Sequence, residues 1–241
     1  MQVIYGIHPL LEVLQGRNHI IKKIAVASGR GGESIERILS LAKMNGIPVE
    51  VKDREYFNRQ AGEKIHQGVM GFCDDFAYGG VDNIIANRHT ALEYNVILIL
   101  DGITDPQNMG SLIRTAHCFG VNGVIIPKDR SASVTAAVMK ASSGAAGHIP
   151  IAMEVNLANT IEYLKSKGFW VYGADADQGQ SIHSLDFRGH VALVMGSEGK
   201  GIRPLIRKKC DFLVSVPMRG KIDSLNVSVA AGIILHEILK V

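Results

Sequence analysis

Apolar positions along the first third of the chain follow two periods in turn. Ile24 to Ala27 is a short apolar run that predicts a strand. Gly29 to Gly32 predicts a turn, and Ile35, Ile38, Leu39 and Ala42 recur at helical spacing until Asn45-Gly46 ends the helix. Ile47 to Val51 then predicts a second strand, Arg54 to Gly62 a short helix and Val69 to Cys73 another strand. These elements predict a small α/β unit over residues 1–75, and the stretch that follows, with Gly79-Gly80, predicts a linker over residues 76–92.

A second unit, over residues 93–241, opens with Val96-Ile97-Leu98-Ile99-Leu100, a continuous apolar run of the kind found in a parallel strand covered on both faces. Gly123 to Pro127, Trp170 to Ala174, Val191 to Met195 and Phe212 to Val216 read as further strands separated by helical stretches. That alternation predicts a parallel α/β sheet. The last helix, from Val227 to His236, is apolar on nearly every face and is expected to be buried.

Composition sharpens this picture without changing it. The chain has 241 residues, 46% of them hydrophobic and 20% charged, enough to bury a substantial core. Cys73, Cys118 and Cys210 are widely spaced, with no Cys-x-x-Cys pair, which argues against a disulfide framework or a zinc site and for reduced, partly buried packing residues. No basic segment leads into an apolar stretch at the N-terminus, and no apolar run approaches the ~18 residues a membrane span needs, so a cytoplasmic protein without a membrane partner is expected. The formal charge of +3 demonstrates no nucleic-acid partner by itself. Lys200, Arg203, Arg207, Lys208 and Lys209 crowd one stretch, with Arg219 and Lys221 soon after, and form either a phosphate-facing patch or a solvated surface.

Ligands of open α/β sheets bind at the carboxyl ends of the strands, so the loops there carry the candidate chemistry. The first runs from Asp101 through Asp105-Pro106-Gln107-Asn108-Met109-Gly110 into a helix expected over Ser111 to Phe119. On that helix Leu112, Thr115, Ala116 and Phe119 share a packing face, which turns Arg114 outward. The second, Gly196-Ser197-Glu198-Gly199-Lys200-Gly201, has glycines that permit close backbone approach, but it matches neither the phosphate-loop nor the dinucleotide spacing. The third is Val216-Pro217-Met218-Arg219-Gly220-Lys221-Ile222-Asp223-Ser224-Leu225-Asn226. Each has a plainer reading: Asp105-Pro106 as a turn with Asn108 as a helix cap, a tight glycine turn, and Ser224 or Asn226 as the cap of the last helix. The nine histidines show no metal-ligand spacing, and no Gly-x-Ser-x-Gly elbow occurs. The residues alone therefore indicate an α/β ligand-binding domain in which Asn108, Arg114, Glu198, Ser224 and Asn226 converge near strand ends, with the ligand left open.

Taken together and in order, the three loops resemble the motifs of the SpoU/TrmH family of the SPOUT superfamily: D-x-x-x-D-P-x-N-x-G-x-x-x-R-T-A-x-x-F-G over Asp101 to Gly120, G-S-E-G-x-G over Gly196 to Gly201, and P-M-x-G-x-x-x-S-L-N-V-S-V-A over Pro217 to Ala230. Tyr5-Gly6-Ile7-His8-Pro9 and His66-Gln67-Gly68-Val69 are similar to the start and end of an L30e-like RNA-binding domain that accompanies members methylating a guanosine ribose in large-subunit (23S) ribosomal RNA. The resemblance implies a catalytic sheet whose last segment makes a deep trefoil knot, a rare exception to the rule against knots. It implies S-adenosylmethionine as cofactor, leaving as S-adenosylhomocysteine and held against Gly173, Ala174, Gly196, Val216, Met218 and Leu225. It also implies a homodimer through the catalytic domain, and no metal.

The resemblance further implies that Arg114 activates the ribose 2′-hydroxyl, with Asn108 and Glu198 orienting it and Ser224 and Asn226 shaping the pocket. An arginine stays protonated and is a poor base, so its role reduces to positioning the hydroxyl or a neighbouring phosphate and stabilising developing oxyanion charge. Two alternatives stay open: transfer RNA as substrate, and a catalytically silent RNA-binding or ribosome-assembly protein.

Overall fold

The computed structural model describes residues 2–15, 21–62, 65–87, 95–220 and 224–240. His19, His89 and the Lys221-Ile222-Asp223 part of the third loop lie outside them. The chain divides into two compact units, Met1–Phe76 and Ala77–Val241.

The first unit contains β1 (Gln2–Tyr5), α1 (Ile7–Gln15), β2 (Ile21–Ala27), α2 (Glu33–Met44), β3 (Val49–Lys52), α3 (Arg54–Ala61) and β4 (Val69–Cys73). Its four strands lie in the order β1-β4-β2-β3, with β4 antiparallel to both neighbours and β2 parallel to β3. All of β4 is buried, and at Gly71 a side chain would meet Leu10 of α1 at 2.4 Å, so the glycine lets that helix lie close over the sheet. Hydrophobic patterning did not announce β1 and α1. Pro9 obscures the helix, yet it stands in the first turn, where no backbone donor is needed. The two segments that carried the resemblance meet here: Gln67 Oε1 accepts from Ile7 N at 2.9 Å and Val69 O from Gly6 N at 3.2 Å.

The second unit begins with α4 (Val81–Ala86), inside the stretch expected as a linker. Val81 and Ile84 are buried in that unit's core, and Gly79 bridges to Ala152, so this part of the stretch is built into the fold and is no free connector. Next come β5 (Val96–Asp101), α5 (Pro106–Cys118), β6 (Gly123–Pro127), α6 (Ala136–Ala141), β7 (Ile151–Glu154), α7 (Leu157–Ser166), β8 (Phe169–Ala174), β9 (Gln180–Ser181), β10 (His190–Gly196), α8 (Pro204–Arg207), β11 (Phe212–Ser215) and α9 (Val227–Leu239). The seven strands form a wholly parallel sheet in the order β7-β6-β5-β10-β8-β11-β9. Every residue of the interior strand β5 is buried, as its unbroken apolar run requires.

Two helices depart from expectation. Helix α5 starts five residues before Ser111, because Asp105 is its N-cap, accepting from Asn108 N, and Pro106 occupies the first turn. The pair is a helix-start signal, not a turn. Met109, Gly110, Leu112, Ile113 and Ala116 form its buried face. In α9 the apolar surface is only partly covered: Val227, Ala231, Ile234, Leu235, Ile238 and Leu239 are buried, while Val229 is 49% and Ile233 37% exposed. The cysteines also differ among themselves, with Cys73 buried, Cys210 half-buried and Cys118 exposed at the end of α5.

Gly110 is where α5 crosses α6: a side chain there would meet Ala141 Cβ at 2.4 Å and Ser142 N at 2.8 Å. Gly110→Ala is expected to destabilise the second unit by about 1–3 kcal/mol through overpacking, read from the midpoint of urea unfolding.

Candidate functional site

Strands β5 and β10 are neighbours in a register that sets Gly196 beside Asp101, so their loops leave the sheet at the same level. The β10 loop folds back at once. Ser197 N donates to Gly201 O at 3.1 Å and Gly201 N to Ser197 O at 2.8 Å, which leaves Glu198 exposed at the turn. Gly196 is required by its own loop, since a side chain would fall 2.1 Å from the Gly201 carbonyl carbon and 2.2 Å from Ile202 N.

Three of the expected side chains join by hydrogen bonds. Asn226 Nδ2 donates to Asn108 Oδ1 and to Glu198 Oε1, both at 3.0 Å. Its Oδ1 accepts from Ser228 N at 2.9 Å and from Ser228 Oγ at 2.6 Å, so the residue caps α9 while its amide ties two other loops together. The plainer reading of Asn226 as a cap is therefore correct, and the same side chain also joins Asn108 and Glu198. Patterning did not single out Ser228; its place two residues after an N-cap is the signal that would have found it.

Arg114 is exposed on α5, six residues beyond Asn108, and no described residue pairs with it. At 1.5 Å per residue that is a rise of about 9 Å along the helix, so Arg114 is no part of the hydrogen-bonded triad. Ser224 is exposed at the rim of a cleft of about 1060 Å³. Ala174, Gly196, Val216, Met218 and Leu225 line that cleft together with Glu198, Ser224 and Asn226. Gly173 does not line it. The space its side chain would take holds Cys210 Sγ at 2.8 Å and Ile202 Cδ1 at 3.0 Å, so that glycine serves the packing of β8. Burial there pushes the Cys210 thiol up to about 12.

The basic stretch beside the cleft is largely spent on internal pairs. Arg203 Nε and Nη2 both approach Asp101 Oδ1 at 2.6 Å, Arg207 Nε lies 2.8 Å from Asp175 Oδ2, and Lys209 Nζ lies 2.8 Å from Glu162. Lys200 and Lys208 are left facing solvent. The spacing of cations alone could not show which of them had an acid waiting elsewhere in the fold. Among the described residues no group of histidines, cysteines and acids could hold a metal ion.

Asn226→Ala removes a helix cap as well as the two links, and is expected to lower stability by about 1 kcal/mol. Asn226→Ser keeps a cap acceptor without setting a second carboxylate against Glu198 and should lose less, and thermal unfolding of the two variants side by side checks the difference.

Comparison with known proteins agrees with this architecture. Residues 95–236 match the model of the SpoU rRNA Methylase family, and residues 3–79 match that for RNA 2'-O ribose methyltransferase substrate binding. The chain is 39% identical to the 23S rRNA (guanosine-2'-O-)-methyltransferase RlmB of Pseudomonas putida, over 100% of this chain and 96% of the relative. In fold it is similar to the SpoU methyltransferase AviRb of Streptomyces viridochromogenes, solved in complex with AdoMet, at a TM-score of 0.67 and 20% identity over 99% of this chain and 88% of that one. A TrmH/SpoU tRNA modifying enzyme of A. aeolicus matches at a TM-score of 0.57 and 24% identity over 66% of this chain and 78% of its own. A family match that takes in every strand of the parallel sheet, together with a relative of this identity along the full length, identifies the chain as a member of the SpoU rRNA methylase family.

Proposed function

We propose that the second unit transfers a methyl group from S-adenosylmethionine to a ribose 2′-hydroxyl of RNA, and that the target is a guanosine of 23S ribosomal RNA. The observation that carries this reading is the joining of Asn108, on the first turn of α5, to Glu198 and Asn226, which line a cleft of about 1060 Å³. The cleft has the size and mixed character of a cofactor site, with Met195, Leu213, Val216, Met218 and Leu225 for an apolar body and Asp175, Gln178, Ser215 and Ser224 for polar ends. Ala174, Gly196, Val216, Met218 and Leu225 would hold S-adenosylmethionine, with Gly173 acting behind them through packing. When bound, that cofactor supplies an electrophilic methyl group on a sulfonium.

The chain's own residues then have to present an oxygen in line with that methyl group and manage its proton. Asn226 fixes the spacing of Asn108 and Glu198, which orient the ribose. Arg114, exposed and uncommitted to any described partner, positions the hydroxyl or an adjacent phosphate and stabilises negative charge as it develops on oxygen. Ser224 shapes the rim.

The remaining expectations fit the same reading. The strand order, with β10 between β5 and β8 and β11 beyond β8, and a last helix that packs back on α5, supports a trefoil-knotted C-terminal segment. The first unit is read as an L30e-like RNA-binding domain, which its match to the substrate-binding model supports. That unit also favours ribosomal over transfer RNA, since the chain that contains it is 39% identical along its full length to a relative named for 23S rRNA. A silent RNA-binding protein is disfavoured because Asn108, Arg114, Glu198 and Asn226 are all present. Exposed Val229 and Ile233, one turn apart on α9, support a homodimer through this unit, and a ribosomal substrate supports a cytoplasmic location.

Labelled methyl transfer to unmodified large-subunit rRNA and to bulk tRNA, with the 2′-O-methyl position mapped, tests the reading: label on rRNA ribose is expected, and label on neither RNA would overturn it. Arg114→Ala is expected to reduce transfer by at least about 100-fold while cofactor affinity, measured by calorimetry, stays within a few-fold. Ile233→Glu on the exposed stripe of α9 should convert a dimer to a monomer in sedimentation velocity.

A further inference from the structure

We infer that Asp101 and Arg203 form a positioning pair that holds the Glu198 loop in register with the Asn108 loop for methyl transfer. The inference rests on the function proposed above. Asp101, the last residue of β5, has a fully buried carboxylate. Both of its oxygens are used: Oδ2 accepts from Arg203 N at 2.8 Å, and Oδ1 accepts from Arg203 Nε at 2.6 Å, with Nη2 at the same distance. A buried carboxylate held by one residue through three nitrogens is an attachment point that a solvated surface charge is not.

What the pair attaches follows from the chain on either side. On one side, Asp101 leads through Gly102 and buried Ile103 to Asp105, which caps α5 at Asn108 N. On the other, Arg203 follows the closed turn Ser197 to Gly201 and buried Ile202, with Glu198 at the turn. The pair therefore clamps the bases of the two loops whose ends, Asn108 Oδ1 and Glu198 Oε1, must both lie at 3.0 Å from one amide nitrogen, Asn226 Nδ2. Hydrogen bonds weaken steeply with small displacements, so the double acceptance survives only if the loop bases do not slide. Lysine keeps the backbone amide but cannot replace the fork, because it offers a point charge where two nitrogens of a planar group now meet Oδ1.

The test uses the full-length protein with Arg203→Lys, and with Asp101→Asn as a second variant in the same measurements should the first fail to fold by circular dichroism. Arg203→Lys is expected to lower kcat by about 100-fold, the size of effect that misplacing reacting groups by an ångström produces, with KM for both substrates within a few-fold. A merely structural role would act independently of Glu198, so the double variant with Glu198→Ala distinguishes the two: the lysine substitution should then have little further effect. Multiplying losses would overturn the inference. Hydrogen–deuterium exchange gives a readout that needs no activity. Peptides over residues 196–203 and 226–230 should exchange faster in Arg203→Lys while those of the first unit stay unchanged, and unaltered exchange in 196–203 would also overturn it. A wild-type protein without methyl transfer would refute the proposed function, and the exchange measurement would still decide whether the pair holds the loop.

Discussion

Parallel pairing of β5 with β10 is the constraint on which the site depends. Their register places Gly196 level with Asp101, so two loops distant in sequence begin at the same height on adjacent strands. Parallel strands cannot be joined by a tight turn, so each must be followed by a crossover, and each crossover carries a loop to the carboxyl edge of the sheet. The chain exploits this by putting an N-cap and an exposed arginine after β5, a closed glycine turn after β10, and the start of α9 nearby. Any slip of one strand against the other would separate Asn108 from Glu198 by a residue's rise, about 3.3 Å, more than one amide could span.

The polar atoms at this edge do double duty, and that economy constrains substitution. Asn226 satisfies one orphan backbone donor of α9 and spaces two side chains of the site with the same amide group. Asp105 caps α5 and so places Asn108 on its first turn. Asp101 carries the heaviest cost, since a carboxylate with no exposed surface that loses its guanidinium costs about 3–5 kcal/mol. Glycine serves packing at least as much as ligand approach: Gly110, Gly173 and Gly196 each stand where a neighbour already fills the side-chain space.

Much of this was legible along the chain. The α/β character of both units, the parallel sheet, the positions of most strands, and the three loops with Asn108, Glu198 and Asn226 could be read from apolar periodicity and motif order. Those features are local: a buried parallel strand must be apolar throughout, and capping and turn residues act within a few positions of their own backbone. Elements with weak local signatures escaped, among them β1, α1, α4 and the short strands β7 and β9, each stabilised by what packs on it rather than by its own pattern.

What only the tertiary structure decided is partnership. Lys200, Arg203, Arg207 and Lys209 look alike in sequence, yet Arg203 is committed to Asp101, a hundred and two positions away, Arg207 to Asp175 and Lys209 to Glu162, while Lys200 is left to solvent. The apolar α9 was legible as a helix, but which of its faces is covered, and that Val229 and Ile233 are not, depended on what the sheet and α5 bring against it. The physical reason is the same in both cases. Periodicity reports whether a side chain prefers water or core, whereas the identity of the group it meets is set by strand order and register, which no single stretch of sequence encodes.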